Sequence, residues 1–277
     1  MKLKLYENTA DFGRAVLEIL LEHEVQNNLP IGFIKNERNL DTSNWIMASV
    51  CGDNGEVLLT AACTPPHNIV LYETGNRPCD GAVSFLYENI KALGITLPGV
   101  LAERSLSNRF AAVHGRYHVH HSMNIMKLDK VNPINKAPGF MRPFGEKDLF
   151  FAPYWERAFS EECDIGTVSI PEYTEILKGR IRRGEGFIWV DAIPVSQAAT
   201  CRSTENGAVI NAVYTPPHFR NKGYAAANVA ELSQLLLDRG NKFCCLYADA
   251  ANPISCGIYR KIGYADQCVM DEIHFDS

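Results

Sequence analysis

The chain has 277 residues, of which 46% are hydrophobic and 21% charged, and its formal net charge is −5. This mildly acidic balance argues against a general nucleic-acid-binding surface, and no apolar run reaches the roughly 18–20 residues of a membrane span. The length allows one large domain or two ordinary ones.

In the first half, short runs of alternating, β-branched or aromatic residues predict strands, and apolar residues three and four apart predict helices. The predicted strands cover residues 3–6, 44–51, 57–63, 69–72, 99–102 and 118–128. The predicted helices cover about residues 9–26, 83–93 and 107–113. Residues 129–139, which are rich in Asn, Pro and Gly, are typical of a linker.

Beyond the linker the same order of elements begins again. The predicted helices cover about residues 147–160, 171–183 and 224–239, and the predicted strands cover 186–192, 196–201, 209–214, 242–247 and 269–275. This repeated order predicts an internal duplication, with one domain at residues 1–135 and a second at 136–277. Thr-Pro-Pro-His occurs twice, at Thr64–His67 and Thr215–His218. The two copies follow different strands of the two series, so they do not set the register of the repeat.

The strongest local pattern follows the strand at 209–214. Two prolines end that strand, and a helix begins near Tyr224. A helix start has unpaired N–H groups and a partial positive charge, which together favour a bound phosphate. Gly223 lets a ligand approach the backbone closely, and Arg220 and Lys222 add positive charge.

The loop resembles the acetyl-CoA pyrophosphate loop of the GNAT superfamily of N-acetyltransferases. Its residues are Arg220, Asn221, Lys222, Gly223, Tyr224 and Ala225. One helix and one strand later, the segment from Asn252 to Tyr264 resembles the GNAT segment in which an Asn follows a strand, a short helix carries a Tyr, and a Gly-aromatic pair follows. The resemblance implies an α/β fold of two consecutive GNAT-like domains, each a mixed, mostly antiparallel sheet flanked by helices.

The resemblance also implies acetyl-CoA, or a related acyl-CoA, as cosubstrate. The residues of the 220–225 loop would hold the pyrophosphate, and the backbone of Ala212, Val213 and Tyr214 would pair with the pantetheine arm. Asn252 and Ser255 would contact the cofactor, although an Asn before a proline is equally typical of a turn.

Tyr259 is the expected catalytic residue and a further cofactor contact. In the family a Tyr at this position protonates the departing thiolate. A phenol has a pKa near ~10 and a thiol one near ~8.5, so the phenol carries its proton at neutral pH and can supply it to the thiolate. The alternative is that Tyr259 only packs its helix against the sheet.

The motifs do not identify the general base. The family often uses a Glu near the strand before the phosphate loop, or a chain of waters. Here that strand carries Asn211, which could hold a water, and Asp191, Asp249 and His218 are alternatives.

The first half lacks the residues of the cofactor site. In the matched register it has Arg77-Pro78-Cys79-Asp80 where the second half has its phosphate loop, and Ala111 stands opposite Tyr259 when Gly115 is aligned on Gly263. Pro78 removes a backbone donor, and Asp80 would place a negative charge beside a polyanion. We therefore expect a degenerate GNAT-like N-terminal half.

Histidines and cysteines give no further site at this stage. Four histidines, His114, His118, His120 and His121, lie close together in the sequence, but no cysteine or carboxylate falls at ligand spacing, so they are interpreted as surface or interface residues without a metal. The nine cysteines include no Cys-x-x-Cys, which favours reduced thiols. The segment Met1–Glu7 lacks the features of a signal peptide, so we expect a cytoplasmic protein.

Together these features predict an acetyl-CoA-dependent N-acetyltransferase that moves the acetyl group directly to a primary amine of a small molecule or peptide. No metal, nucleic acid or membrane is expected to take part. A non-catalytic acyl-CoA-binding sensor or regulatory module is the alternative. The motifs identify neither the acceptor, nor the acyl chain length, nor the oligomeric state.

Overall fold

A computed structural model describes residues 1–35, 42–75 and 78–276. The strands are β1 (Lys2–Leu5), β2 (Ile46–Cys51), β3 (Val57–Cys63), β4 (Ile69–Glu73), β5 (Gly99–Glu103), β6 (Tyr117–Leu128), β7 (Phe140–Pro143), β8 (Gly186–Asp191), β9 (Ile193–Ser203), β10 (Gly207–Tyr214), β11 (Phe243–Asp249) and β12 (Ala265–Phe275). The helices are α1 (Thr9–Leu21), α2 (Asn28–Lys35), α3 (Asp80–Ala92), α4 (Arg104–His114), α5 (Ala152–Glu162), α6 (Ile170–Arg183), α7 (Tyr224–Asp238) and α8 (Pro253–Ile262). The predicted α/β class, with a mixed, mostly antiparallel sheet flanked by helices, is confirmed.

The described strands form one twelve-stranded sheet in the order β1-β2-β3-β4-β5-β12-β6-β11-β10-β9-β8-β7. The order is symmetric about its centre. Counted inward from either edge, the first five strands belong to one half of the chain and the sixth strand belongs to the other half. The last strands of the halves are exchanged: β12 pairs with β5 of the first half, and β6 pairs with β11 of the second. The two exchanged strands also pair with each other, so the predicted halves share a continuous sheet. The boundary at residue 135 stays a prediction.

Backbone details support the repeat. Each half has one parallel strand pair flanked by antiparallel ones, β4 with β5 and β10 with β11. The helices that follow, α4 and α8, both end at a glycine with positive φ, 109° at Gly115 and 120° at Gly263. The N–H groups of these glycines donate to Ala111 and Tyr259, the two residues that the sequence alignment placed opposite each other.

The strand exchange places part of each hydrophobic core in the other half. Ile273 of β12 is fully buried in the first-half core, and Met126 and Leu128 of β6 are buried in the second-half core. Each half therefore needs the other to complete its core. Among the described helices, none is long and apolar enough to cross a membrane.

Gly99 allows the closest approach in the exchange. A Cβ atom at this position would lie 2.0 Å from the carbonyl oxygen of Ile273 in β12. We expect Gly99→Ala to lower the free energy of unfolding by roughly 2–3 kcal/mol, as overpacking does elsewhere, in a denaturant titration. Gly257→Ala is the control, because nothing lies within 4 Å of its Cβ position inside α8 and alanine there should stabilise by about 0.5–1 kcal/mol. An unchanged midpoint for Gly99→Ala would mean that β12 does not pack against β5 in solution.

Candidate active site

The pairing of the parallel strands β10 and β11 ends before the strands do, and the region between their carboxyl ends is called the cleft below. Their paired positions run from Gly207 with Phe243 to Ile210 with Leu246. Both strands continue beyond these pairs, to Tyr214 and Asp249. Because the pairing ends while the strands continue, backbone groups at their carboxyl ends are left for a ligand.

A β-bulge re-aims the end of β10. Two residues, 212 and 213, lie between Asn211 and Tyr214, whereas one residue lies between their partners Ala199 and Gln197 in β9. Ala212, one of these two residues, has φ 49°, a left-handed conformation that is unfavourable for alanine and is often found at functional sites. A bulge leaves backbone groups outside the ladder, so Ala212 and Val213 have N–H and C=O groups that β9 does not pair.

Two side-chain oxygen atoms near the bulge lack a hydrogen-bond donor among the described residues. The Oδ1 atom of Asn211 and the Oε1 atom of Gln197 are buried without a hydrogen-bond partner among the described residues. A buried unpaired oxygen costs about 1–3 kcal/mol, so these two atoms suit a water or a ligand. The Nε2 atom of Gln197 donates to Glu156 Oε1 over 2.7 Å, and Arg180 donates to the same oxygen over 2.7 Å. The sequence analysis did not identify Glu156, Arg180 or Gln197.

The start of α7 is uncapped. Gly223 precedes the helix with φ 81°, and no side chain caps the first turn. The N–H of Ala227 donates to the Gly223 carbonyl over 3.0 Å, so the N–H groups of Tyr224 and Ala225 lie before this helical bond. Asn221 also has a positive φ, of 63°. Residues 221–223 are exposed, so this helix start is open to a phosphate.

The side chains of the loop are used differently from one another. Arg220 donates to both carboxylate oxygens of Glu162 over 2.7 Å and to the Thr215 carbonyl over 2.8 Å. Its charge is therefore partly neutralised, which the sequence did not predict. Lys222 is exposed, with its Nζ atom 6.0 Å from the Phe219 ring centroid. Unlike Arg220, Lys222 forms no ion pair with an acidic side chain among the described residues.

At Tyr224 and Ala225 the backbone N–H groups, rather than the side chains, are available to a ligand. The Tyr224 ring is buried beside Trp189 and Ala227, and its hydroxyl donates to Asp191. That hydrogen bond raises the pKa of Tyr224. Ala225 is half-buried. Because Asp191 accepts this bond, one of its oxygens is occupied.

Helix α8 holds the predicted acid. Asn252 caps the helix, with its side-chain oxygen accepting from the Ser255 N–H over 3.0 Å, as the turn interpretation requires. Tyr259 is 8% exposed, in the core of the second half. Burial raises the pKa of Tyr259, a hydrogen bond with Ser255 opposes this, and the neighbouring Cys163 adds to the increase. Tyr259 is therefore protonated at neutral pH.

The other candidate bases differ in exposure. Asp249, at the end of β11, is exposed and accepts from the Ala251 N–H over 2.8 Å. His218 is exposed against Phe219, with ring centroids 4.1 Å apart. Neither has a polar contact that activates it, so the base is not assigned.

The corresponding helix start of the first half is closed by its own acids. Glu73 Oε1 accepts from the Cys79 N–H over 2.7 Å, in the position where a phosphate would bind in the second half. Arg109 binds Glu73 and, over 3.1 Å, Asp80. Ala111 is fully buried. Arg77, which the alignment also considered, lies outside the described residues.

Comparison with known proteins agrees with this geometry. The family model of the FR47-like proteins, which are related to the GNAT superfamily, matches residues 191–271. No curated protein matches the sequence.

Solved structures extend the likeness to the whole chain. A GCN5-related N-acetyltransferase from Sphaerobacter thermophilus superposes with a TM-score of 0.69 at 14% identity over 98% of this chain and 94% of its own. A GNAT-family acetyltransferase from Colwellia psychrerythraea gives 0.61 at 12% identity over 100% of both chains. A tandem GNAT protein from the clavulanic acid biosynthesis pathway gives 0.55 at 11% identity over 98% and 97%.

The chain therefore has the GNAT fold over its full length, as its motifs predicted. Its second half carries both the matched family segment and the open helix start.

Proposed function

We propose that this protein transfers the acetyl group of acetyl-CoA to a primary amine of a small molecule or peptide. The observation that carries the proposal is the bulge at Ala212, beside the point where the pairing of β10 with β11 ends. The next α-helix after β10 is α7, whose start is uncapped. The GNAT fold supports acetyltransferase chemistry in general, and the acceptor is a matter for experiment.

The residues of the second half suit acetyl-CoA. The N–H groups from Asn221 to Ala225 and the exposed Lys222 would bind the pyrophosphate. Backbone groups of Ala212, Val213 and Tyr214 would pair with the pantetheine amides. Asn252 and Ser255 would border the arm near its thioester.

Bound acetyl-CoA supplies the activated acetyl group as a thioester. In the transfer the C–S bond breaks, a C–N bond forms, the amine loses a proton and the thiolate gains one. We infer that Tyr259 donates that proton, because it is protonated at neutral pH and lies in the helix that follows β11. Backbone N–H groups at the bulge would polarise the thioester carbonyl, and the unpaired Asn211 oxygen would hold the water through which the amine loses its proton.

The alternative, a non-catalytic acyl-CoA-binding module, would use the same loop without turnover. The buried tyrosine at position 259 favours the enzyme, since binding alone does not need a proton donor.

The test is to incubate the protein with acetyl-CoA and a panel of primary amines, and to follow the release of free thiol. The nine cysteines of the chain require enzyme at a concentration far below that of acetyl-CoA. Amine-dependent release that Tyr259→Phe diminishes would support the proposal. Tight acetyl-CoA binding with no release for any amine, including peptides with free N-termini, would favour the sensor.

We also propose that residues 1–135 form a degenerate half without a cofactor site. A titration of the intact protein with acetyl-CoA should give one molecule per chain. At the helix start of the first half, Glu73 accepts the Cys79 N–H that a phosphate would need, and the charge of Asp80 would repel a phosphate. Isothermal calorimetry measures this ratio.

The control is Glu73→Gln/Asp80→Asn, which removes both charges from the first half. A ratio that stays at one would mean that Pro78, which has no N–H to donate, is enough to exclude a phosphate, and a ratio above one would mean that the two acids exclude it. A ratio of two in the unchanged protein would contradict both the alignment and the degenerate first half.

A further inference from the structure

Two histidines of β6 and an aspartate of the second half converge at the surface. His120 and His121 lie in the exchanged strand, and Asp164 lies in the connection between α5 and α6. One potential ligand atom from each residue lies within 4.8 Å of the others. The two histidine side chains are half-buried and Asp164 is exposed, so an ion from solution can reach them.

The two adjacent histidines share a face because β6 is irregular there. Neighbouring residues of a regular strand point to opposite faces. In β6, His121 pairs with Glu272 and Val119 with Ile273 of β12, so His120 is the extra residue of a bulge. The ring centroids of His120 and His121 are consequently 4.0 Å apart.

Both rings already point at Asp164. The Nε2 atoms of His120 and His121 each lie 3.2 Å from its carbonyl oxygen. Asp164 has φ 49°, a left-handed conformation that turns the chain at this point. No sequence pattern predicts a carboxylate beside these histidines, because Asp164 is 43 residues from His121.

We propose that His120, His121 and Asp164 form a binding site for a divalent transition-metal ion of the zinc class. Two imidazole nitrogens and one carboxylate oxygen are a ligand set that Zn²⁺ accepts, with water in the fourth position. Zinc bonds of ~2.0–2.2 Å place tetrahedral ligand atoms roughly 3.3–3.5 Å apart. The three ligands must close by rotation of their side chains, which the exposure of Asp164 allows. His274 stacks on His120 with centroids 4.3 Å apart and fixes that ring.

The site has a structural consequence for the acetyltransferase cleft, and this consequence rests on the proposed function. Asp164 lies two residues after Glu162, which binds Arg220 of the 220–225 loop. An ion bound to Asp164 would therefore fix the end of α5, in the second half, to β6 of the first. The ion would order the segment beside the cleft rather than take part in the transfer.

The experiment is a calorimetric titration of the full chain, free of any affinity tag and treated with a chelator, with ZnCl₂. We expect one Zn²⁺ per chain and an increase in melting temperature on binding. Asp164→Asn and His121→Ala should each weaken binding by at least about tenfold, since even outer-shell changes cost 10–100-fold. Co²⁺ bound in place of Zn²⁺ should show the visible absorption of a tetrahedral site in the parent and lose it in Asp164→Asn.

His118→Ala is the matched control, because His118 lies in the same strand but contacts Asp276 instead. It should bind Zn²⁺ as the parent does, and all variants should melt at the same temperature in the presence of chelator. Absence of Zn²⁺ binding by the parent would overturn the proposal. So would full affinity in Asp164→Asn, or a loss that Cys163→Ser causes and Asp164→Asn does not. None of these readouts requires acetyltransferase activity.

Discussion

Tyr259→Phe is expected to lower turnover by roughly 10²-fold, within the range of general acid catalysis, and to leave acetyl-CoA affinity nearly unchanged. The variant keeps the ring, which packs in the second-half core, and deletes the hydroxyl. Steady-state kinetics with an amine acceptor gives the turnover, and calorimetry with acetyl-CoA gives the affinity. The two readouts together separate a lost proton donor from a lost binding contact.

Tyr264→Phe is the matched control. Its hydroxyl is also buried and lies 2.8 Å from the Ser233 hydroxyl, and its ring lies 6.0 Å from that of Tyr259. Deleting it should cost about 0.5–1.5 kcal/mol of stability with little effect on turnover. If Tyr259→Phe turns over as fast as the parent under conditions where chemistry limits the rate, water or another residue protonates the thiolate.

Local patterns in the sequence were sufficient for most of the elements. The predicted strand at 57–63 matches β3, and the predicted helix from residue 224 matches the start of α7. These segments carry their own signals, an apolar run after the turn sequence at residues 52–55 for the strand and a glycine before the helix. The predicted helix at 9–26 is wrong at its end, since α1 stops at Leu21 and α2 begins at Asn28. The prolyl residue in α2 lies in its first turn, where proline is tolerated.

Contacts between distant segments could not be predicted. No pattern in the sequences of β6 and β12 predicts their exchange, because either strand could pair with any neighbour that continues the sheet. Asn228 is a polar residue in α7, yet it is fully buried, and neither the nitrogen nor the oxygen of its carboxamide has a hydrogen-bond partner among the described residues. The ion pair of Arg220 with Glu162 joins residues 58 apart. The motif therefore predicts a phosphate loop at residues 220–225, but it does not predict the ion pair of Arg220.

Gly223→Glu is expected to weaken acetyl-CoA binding by about 10²-fold or more, because a like charge in a binding site costs several kcal/mol. The new side chain would stand at the open start of α7, where the pyrophosphate is proposed to bind. The fold should survive, since Gly223 is exposed and a carboxylate at a helix N-terminus interacts favourably with the helix dipole. Calorimetry with acetyl-CoA measures the affinity, and a thermal melt measures the stability.

Two variants separate charge from backbone strain. Gly223→Ala introduces the strain of φ 81° without charge, and it should lose far less affinity than Gly223→Glu. Gly240→Glu places the same charge at the other end of α7, where φ is 97° and nothing lies within 4 Å of the Cβ position. It should lose stability, because a carboxylate opposes the dipole at a helix C-terminus, and retain affinity. Equal affinities for Gly223→Glu and the parent would place the pyrophosphate elsewhere. A loss in Gly240→Glu as large as in Gly223→Glu would show that the fold, rather than the loop, had been damaged.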